Sequence, residues 1–316
     1  MTDPPIVAEQ PVKPKESSKP EKPAKKKEKP VKAEKPEKEK KEKSISGGRK
    51  LALRFLNVFI VLLLLLISYQ LYQLLQYYND LRSNDDTARL AASVLQNAEN
   101  NAMQTVVTPA PDANDPTHSE DKPPVEPQIL PAIQALREEF QNDDIVGYIS
   151  INGTNIHYPV VQTTDNEFYI KNDLAKLRNV AGTIFMDCAN NPSITDYNTV
   201  LYGHNMKNGS MLHNLRYYND RQFFTEHRFI TYRSLYEETV WEVFSFYPTE
   251  TDFNYINTDF ITPEHFTAFV EEIQLRSVVN TNVDISSINQ VLTLSTCTNT
   301  ADNMRFALHA RRLSPQ

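Results

Sequence analysis

Apolar positions along this chain follow three rhythms. In residues 51–71, "LALRFLNVFIVLLLLLISYQL", they are nearly continuous, and 58–67 is unbroken. A bilayer core takes about 20 residues of helix, a length this stretch reaches with its polar edges included. A buried core helix is the alternative, but a leucine run at 62–66 with no polar stripe argues against one. From residue 145 the pattern changes to short β-like runs: "IVGYISI", "IHYPVVQ", "GTIFMDC", "NTVLYGH", "RFITYRS", "TVWEVFSFY", "VLTLSTC" and "MRFALHARR". Asn, Asp, Gly and Pro punctuate them, which predicts many short strands in a sandwich or barrel. With 7 Gly in the chain, tight two-residue hairpins cannot be the rule. The third rhythm is helical. "TPEHFTAFVEEIQLR" offers Thr262 as N-cap, Pro263 at the first helical position and Glu264 in the first turn. Its Phe266, Phe269, Val270 and Ile273 recur at intervals of three and four.

The segments between these patterns set the organisation. Residues 1–50 repeat Lys, Glu and Pro and bury too little apolar surface to offset chain entropy, so a disordered tail is expected. Residues 51–72 read as a transmembrane signal anchor, and 73–107, lacking Gly and Pro, as a helical stalk or a continuation of the anchor. Residues 108–127 are a Pro-rich acidic linker. A short helix with Pro131 in its first turn opens the remaining domain, 128–316.

Charge sharpens this division. The chain carries a net −7, but residues 1–54 hold 17 Lys/Arg against 9 Asp/Glu, leaving 16 against 31 for the rest. A basic tail can mark nucleic-acid binding, yet this one abuts the apolar run, with Arg49, Lys50 and Arg54 closest. The positive-inside rule then puts the tail in the cytoplasm and the domain outside. Over fifty residues precede the apolar run and no small-residue cleavage site follows it, so a removed signal peptide is not expected.

Two cysteines occur, Cys188 and Cys297. Outside the cell they could pair in a disulfide. In "VLTLSTC", alternation puts Val291, Thr293, Ser295 and Cys297 on one face, with Leu292, Leu294 and Thr296 on the core face. Cys297 thus ends a strand on its more polar side. A nucleophilic thiol needs a base and a group to stabilise an oxyanion. Of seven histidines, His204 in "NTVLYGHNM" stands at a strand end, and His309 in "MRFALHARR" is its rival. Arg305 lies eight residues after Cys297; if the two strands are antiparallel neighbours, it returns beside the thiol with up to five donors. A surface salt bridge is its plainer role. No metal-ligand cluster is legible, so no cofactor and no metal are expected.

"TLSTC" at 293–297, "LYGHN" at 201–205 and "RFALHAR" at 305–311, together with the anchor, closely resemble the sortases, membrane-anchored cysteine transpeptidases of Gram-positive bacteria. The resemblance covers about residues 130–313; "GTIFMD" and the helix at 262–276 are most similar to class B. It implies a mainly β fold: an eight-stranded sortase-type barrel with N-terminal helices and one inserted helix, preceded by the transmembrane helix. It also implies that Cys297 is the nucleophile, His204 the general acid/base and Arg305 the group that positions the scissile carbonyl. Ser295 and Thr296 would line or support the substrate cleft. The expected substrates are surface proteins bearing an NPxTN-like C-terminal sorting signal, with a peptidoglycan-precursor amine as acceptor and no nucleic-acid partner. Alternatives are a pilus-assembling sortase using a pilin lysine, an extracellular cysteine hydrolase using water, and a non-enzymatic surface scaffold.

Overall fold

The computed structural model describes residues 42–105, 127–298 and 303–314. Most of the expected tail and nearly all of the linker lie outside these residues. The chain divides into two compact units, Met1–Leu66 and Ile67–Gln316. The described part of the first is one helical stretch whose side chains from Leu51 to Leu66 are exposed. It opens helix α1 (Glu42–Thr105), so the helix starts inside the stretch expected to be disordered. Within α1, Gly47–Ala102 contains a segment long and apolar enough to cross a membrane.

In the second unit all eight strands form where the short β-like runs predict them. They are β1 (Ile145–Ser150), β2 (His157–Val161), β3 (Ile184–Met186), β4 (Asn198–Tyr202), β5 (Phe229–Arg233), β6 (Glu238–Glu250), β7 (Val291–Cys297) and β8 (Met304–Arg312). They close into a barrel in the order β1-β2-β3-β4-β7-β8-β6-β5. Two neighbouring pairs are parallel, β2 with β3 and β4 with β7; the others are antiparallel. Strands β4 and β7 are adjacent in space but far apart in sequence. A parallel pair needs a crossover, and here it is everything from Gly203 to Gln290, including α3 (Arg221–Glu226), β5, β6 and α4 (Pro263–Leu275).

The barrel is packed on both sides. Inside, Ile149, Val160, Leu201, Trp241, Leu292, Leu294 and Leu308 are buried together. Outside, α4 lays Phe266, Val270 and Ile273 over Phe244, Tyr247, Val291 and Ala307. The sequence pattern anticipates the helix, including the Thr262 side chain accepting from the His265 N–H and Pro263 in the first turn. It also anticipates the outward face of β7 as the more polar one, and there the structure differs. Val291, Thr293 and Ser295 are as buried as Leu292 and Leu294, because α4 and the chain around Tyr255 roof them.

The described part of the stalk expected over 73–107, which runs to Thr105, is a docked helix. Leu81, Asn84, Ala91 and Leu95 are buried at intervals of three, seven and four, a single stripe along α1. Asn84 donates to Met211 Sδ at 3.1 Å, the Val180 N–H donates to the Asp80 carboxylate at 3.1 Å, and Arg233 pairs with Glu99 at 2.6 Å. Helix α2 (Pro131–Phe140) buries Ala132, Ile133 and Leu136 against the same core.

Candidate active site

Strand register assembles the site. The β4–β7 ladder ends at Tyr202 opposite Ser295, and the Gly203 N–H still donates to the Ser295 carbonyl at 3.3 Å. His204 and Cys297 each follow two residues beyond that last pair. Because the strands are parallel, both chains leave the barrel wall at the same edge. On the other side of β7, Cys297 is registered directly with Arg305 of β8. Residues opposed in an antiparallel pair share a face, with Cβ atoms about 4.5–5.5 Å apart. Cys297 is therefore flanked by the His204 strand end and the Arg305 guanidinium stem. The antiparallel return on which Arg305's placement depends is present.

The turn after β4 is pinned at several points. The Asn205 side-chain amide donates to the Cys297 carbonyl at 2.8 Å, tying the histidine loop to the cysteine backbone. The Leu212 N–H donates to the His204 carbonyl at 2.9 Å. Gly203 is needed for space, since a Cβ there would stand 2.9 Å from Leu212 Cγ. The His204 ring is half-buried, and its Nε2 lies 2.7 Å from the Ile170 carbonyl. A carbonyl only accepts, so Nε2 carries the proton and the lone pair of the neutral ring is on Nδ1.

His309 has a different setting. It is fully buried under α4, with Nε2 3.0 Å from Tyr247 Oη and Nδ1 2.8 Å from Thr293 Oγ1. Burial pushes its pKa down to about 3. A neutral imidazole with both nitrogens engaged and no solvent access serves the packing of the outer core.

Ser295 and Thr296 are both buried. Ser295 Oγ is 2.8 Å from Tyr255 Oη. Thr296 belongs by alternation to the inward face with Leu292 and Leu294, and its Oγ1 has no partner among the described residues. Tyr255, in the β6–β7 connection, was not singled out from the sequence. Its phenol pKa is raised, first by burial and then by the nearby Cys297, while Ser295 and Arg305 pull the other way. It stays a neutral hydroxyl beside the thiol and the guanidinium. Nothing in "DFNYIN" announces this, because the role depends on a loop folding back over β7. Both cysteines are free thiols, Cys188 exposed and Cys297 half-buried, so the two are not joined. Among the described residues no group of three or more His, Cys, Asp or Glu side chains could hold a metal.

A closed mixed barrel with a free thiol at one strand edge, between an imidazole-bearing turn and a guanidinium-bearing strand, defines a scaffold for thiol chemistry on a barrel wall. The comparisons make the class specific: the sortase-domain family model matches residues 149–313, and the chain belongs to the sortase family. Sortase B of Listeria monocytogenes serovar 1/2a (strain ATCC BAA-679 / EGD-e) is 39% identical over 156 residues, covering 49% of this chain and 63% of that protein. That match spans less than two thirds of the Listeria protein's length. Sortase B of Staphylococcus aureus (strain NCTC 8325 / PS 47) is 36% identical over 169 residues, covering 54% of this chain and 68% of that one. Among solved structures, a Staphylococcus aureus sortase B-substrate complex superposes with TM-score 0.56 at 32% identity, over 60% of this chain and 88% of the other. These relatives are sortases B, and α4 lies between β6 and β7, where the sequence resemblance to class B anticipates a helix.

Proposed function

We propose that this chain is a membrane-anchored class B transpeptidase acting on surface proteins that carry an NPxTN-like C-terminal sorting signal. In this reading residues 128–316 are the catalytic domain, held outside the cell by the anchor at 51–72, with the basic tail inside. The Cys297 thiolate attacks the carbonyl carbon after the signal's Thr. A C–S bond forms, the scissile C–N bond breaks, and the leaving amine takes a proton from His204. Arg305 donates hydrogen bonds to the carbonyl oxygen as negative charge develops there. A peptidoglycan-precursor amine then attacks the thioester carbonyl carbon, the C–S bond breaks as the new C–N bond forms, the amine's proton passes to His204, and sulfur leaves as the thiolate. Ser295 and Tyr255 hold the wall beside the thiol, and Thr296 supports it from the inward face.

The observation that carries this reading is the register of β7, which places Cys297 opposite Arg305 and level with the turn bearing His204. It is tested with the full chain in lipid vesicles, given an NPxTN-type peptide with and without an amine. Mass analysis should find cleavage after Thr and, with amine present, an acyl–amine product. Cleavage giving acid alone at saturating amine would make it a hydrolase, and no cleavage would remove the sorting-signal reading.

A further inference from the structure

His204 is held from two sides, and helix α1 reaches both. One hold is on the ring, where Nε2 donates to the Ile170 carbonyl at 2.7 Å. The ring also borders a cavity of about 650 Å³, lined in part by Gln76, Tyr77 and Asp80 of α1. That space leaves the imidazole room to swing, so the hydrogen bond fixes its orientation and its tautomer. The loop that supplies the carbonyl is tied down where it returns. The Asn179 N–H donates to the Lys171 carbonyl at 2.9 Å, and a Cβ on Gly182 would stand 2.6 Å from the Ile170 oxygen. The returning stretch rests on Asp80. Its carboxylate accepts from the Val180 N–H at 3.1 Å, and its carbonyl accepts from the Asn179 side chain at 3.3 Å. The second hold on His204 is on the backbone. The Leu212 N–H donates to the His204 carbonyl at 2.9 Å, and Asn205 bridges to Met211 across the same turn. Met211 has a φ of 58°, a left-handed conformation that a methionine keeps only with outside support. Tyr158 Oη gives that support by accepting from the Met211 N–H at 3.0 Å, and Asn84 by donating to Met211 Sδ at 3.1 Å. Asp80 and Asn84 are four residues apart, one above the other on the same face of α1.

We propose that Asp80 and Asn84 are positioning residues for His204: through them one turn of α1 sets its ring by way of Ile170 and its backbone by way of Met211. The inference rests on the transpeptidase reading and adds to it what holds the acid/base group in place. With Nε2–H committed to the carbonyl, Nδ1 is the nitrogen left to give and take a proton. Both residues act through others. Without the two tethers the loop and the turn keep their own hydrogen bonds, but the Ile170 carbonyl drifts from the ring. The imidazole then samples both tautomers and more than one rotamer. Proton transfer needs hydrogen-bond reach, so kcat falls while peptide binding along the β7–β8 wall does not.

The test uses the full chain in detergent micelles, with its histidine ring nitrogens isotope-labelled for magnetic resonance. The His204 signals are assigned by their absence in His204→Gln and read at a pH where the ring is neutral. Wild type should show a protonated Nε2 and a bare Nδ1. In Asp80→Ala/Asn84→Ala both signals should move toward the average of two exchanging tautomers, and Asp80→Ala alone should show the same shift in smaller measure. The double variant should also lose about tenfold or more in kcat for a sorting peptide, with KM within about twofold of wild type. Asp80→Asn, which keeps an acceptor for the Val180 N–H, should retain most of the kcat that Asp80→Ala loses. Leu95→Ala removes a buried contact of α1 eleven residues beyond Asn84. It should lower the thermal midpoint and leave kcat and the His204 signals unchanged. The proposal is overturned if the double variant keeps the wild-type signals and kcat. It is equally overturned if Leu95→Ala changes them as much, since α1 would then act through stability alone. A loss in Asp80→Asn equal to that in Asp80→Ala also overturns it, because His204 would then be responding to the carboxylate's charge. Failure of wild type to cleave the peptide would count against the transpeptidase reading alone, and the ring signals would still decide whether α1 sets His204.

Discussion

Arg305 opposite Cys297 can act through directed hydrogen bonds or through charge alone, and lysine separates the two. Arg305→Lys keeps the charge and loses the planar fork. With donors aimed at the scissile carbonyl, the variant should stay folded and lose most of its kcat; a defect confined to KM and sensitive to salt would reduce Arg305 to attracting substrate. His204→Ala should lower kcat by about a hundredfold or more, the scale of general acid/base catalysis, and equal losses in His309→Gln would contradict the placement of the base. His309 should instead appear in stability. Its folded pKa lies near 3, below the ordinary histidine value, so between these two pH values the unfolded chain binds more protons than the folded one. Stability is then full above about pH 6.5 and falls as pH drops toward 3. The groups facing its ring, Tyr247, Tyr255 and Thr293, do not titrate in that window. Thermal midpoints of His309→Gln should therefore change less between pH 7 and pH 4.5 than those of wild type, and parallel curves would contradict this. The meeting of Cys297, His204 and Arg305 at one barrel edge was legible because each stands at or next to a strand end. Tyr255 and Asn205 were not, because their contacts join segments 40 and 92 residues apart.

At the scale of elements, all eight strands and α4 follow from short punctuated apolar runs, capping and helical spacing. What alternation could not convey is that one helix roofs half a barrel. A strand buried on both faces and a strand buried on one can carry the same run of Thr and Ser when hydroxyls pair under the roof, as Thr293 does with Asn198 at 2.6 Å. Removing the central roof contact should be costly: Phe266→Ala is expected to destabilise the barrel by about 3–5 kcal/mol. Thr262→Ala, which loses only the cap, should cost about 1 kcal/mol. Chemical denaturation measures both, and similar losses would mean that α4 is held by its ends and not by its apolar face. The docking of α1 was also hidden. Its buried positions are few and widely spaced, and Asn84 and Asp80 face the barrel as hydrogen-bond partners that hydropathy scores as solvent-facing.

For the whole molecule, the proposed anchor at 51–72 and its basic flank make a prediction about sidedness. Protease applied to intact cells should remove the domain after residue 80 and spare the Lys-rich tail; digestion of the tail with the domain protected would reverse the orientation. The linker at 108–127 and most of the tail lie outside the described residues, so their expected roles as spacer and cytoplasmic segment rest on composition. The central claim is that Cys297, at the end of β7, is the nucleophile of this sortase. The most direct measurement is mass mapping of the full chain quenched during turnover of a sorting peptide. The acyl group should sit on the peptide containing Cys297, should persist in Cys188→Ala and should vanish in Cys297→Ala together with turnover. An acyl group on Cys188, or turnover by Cys297→Ala, would contradict it.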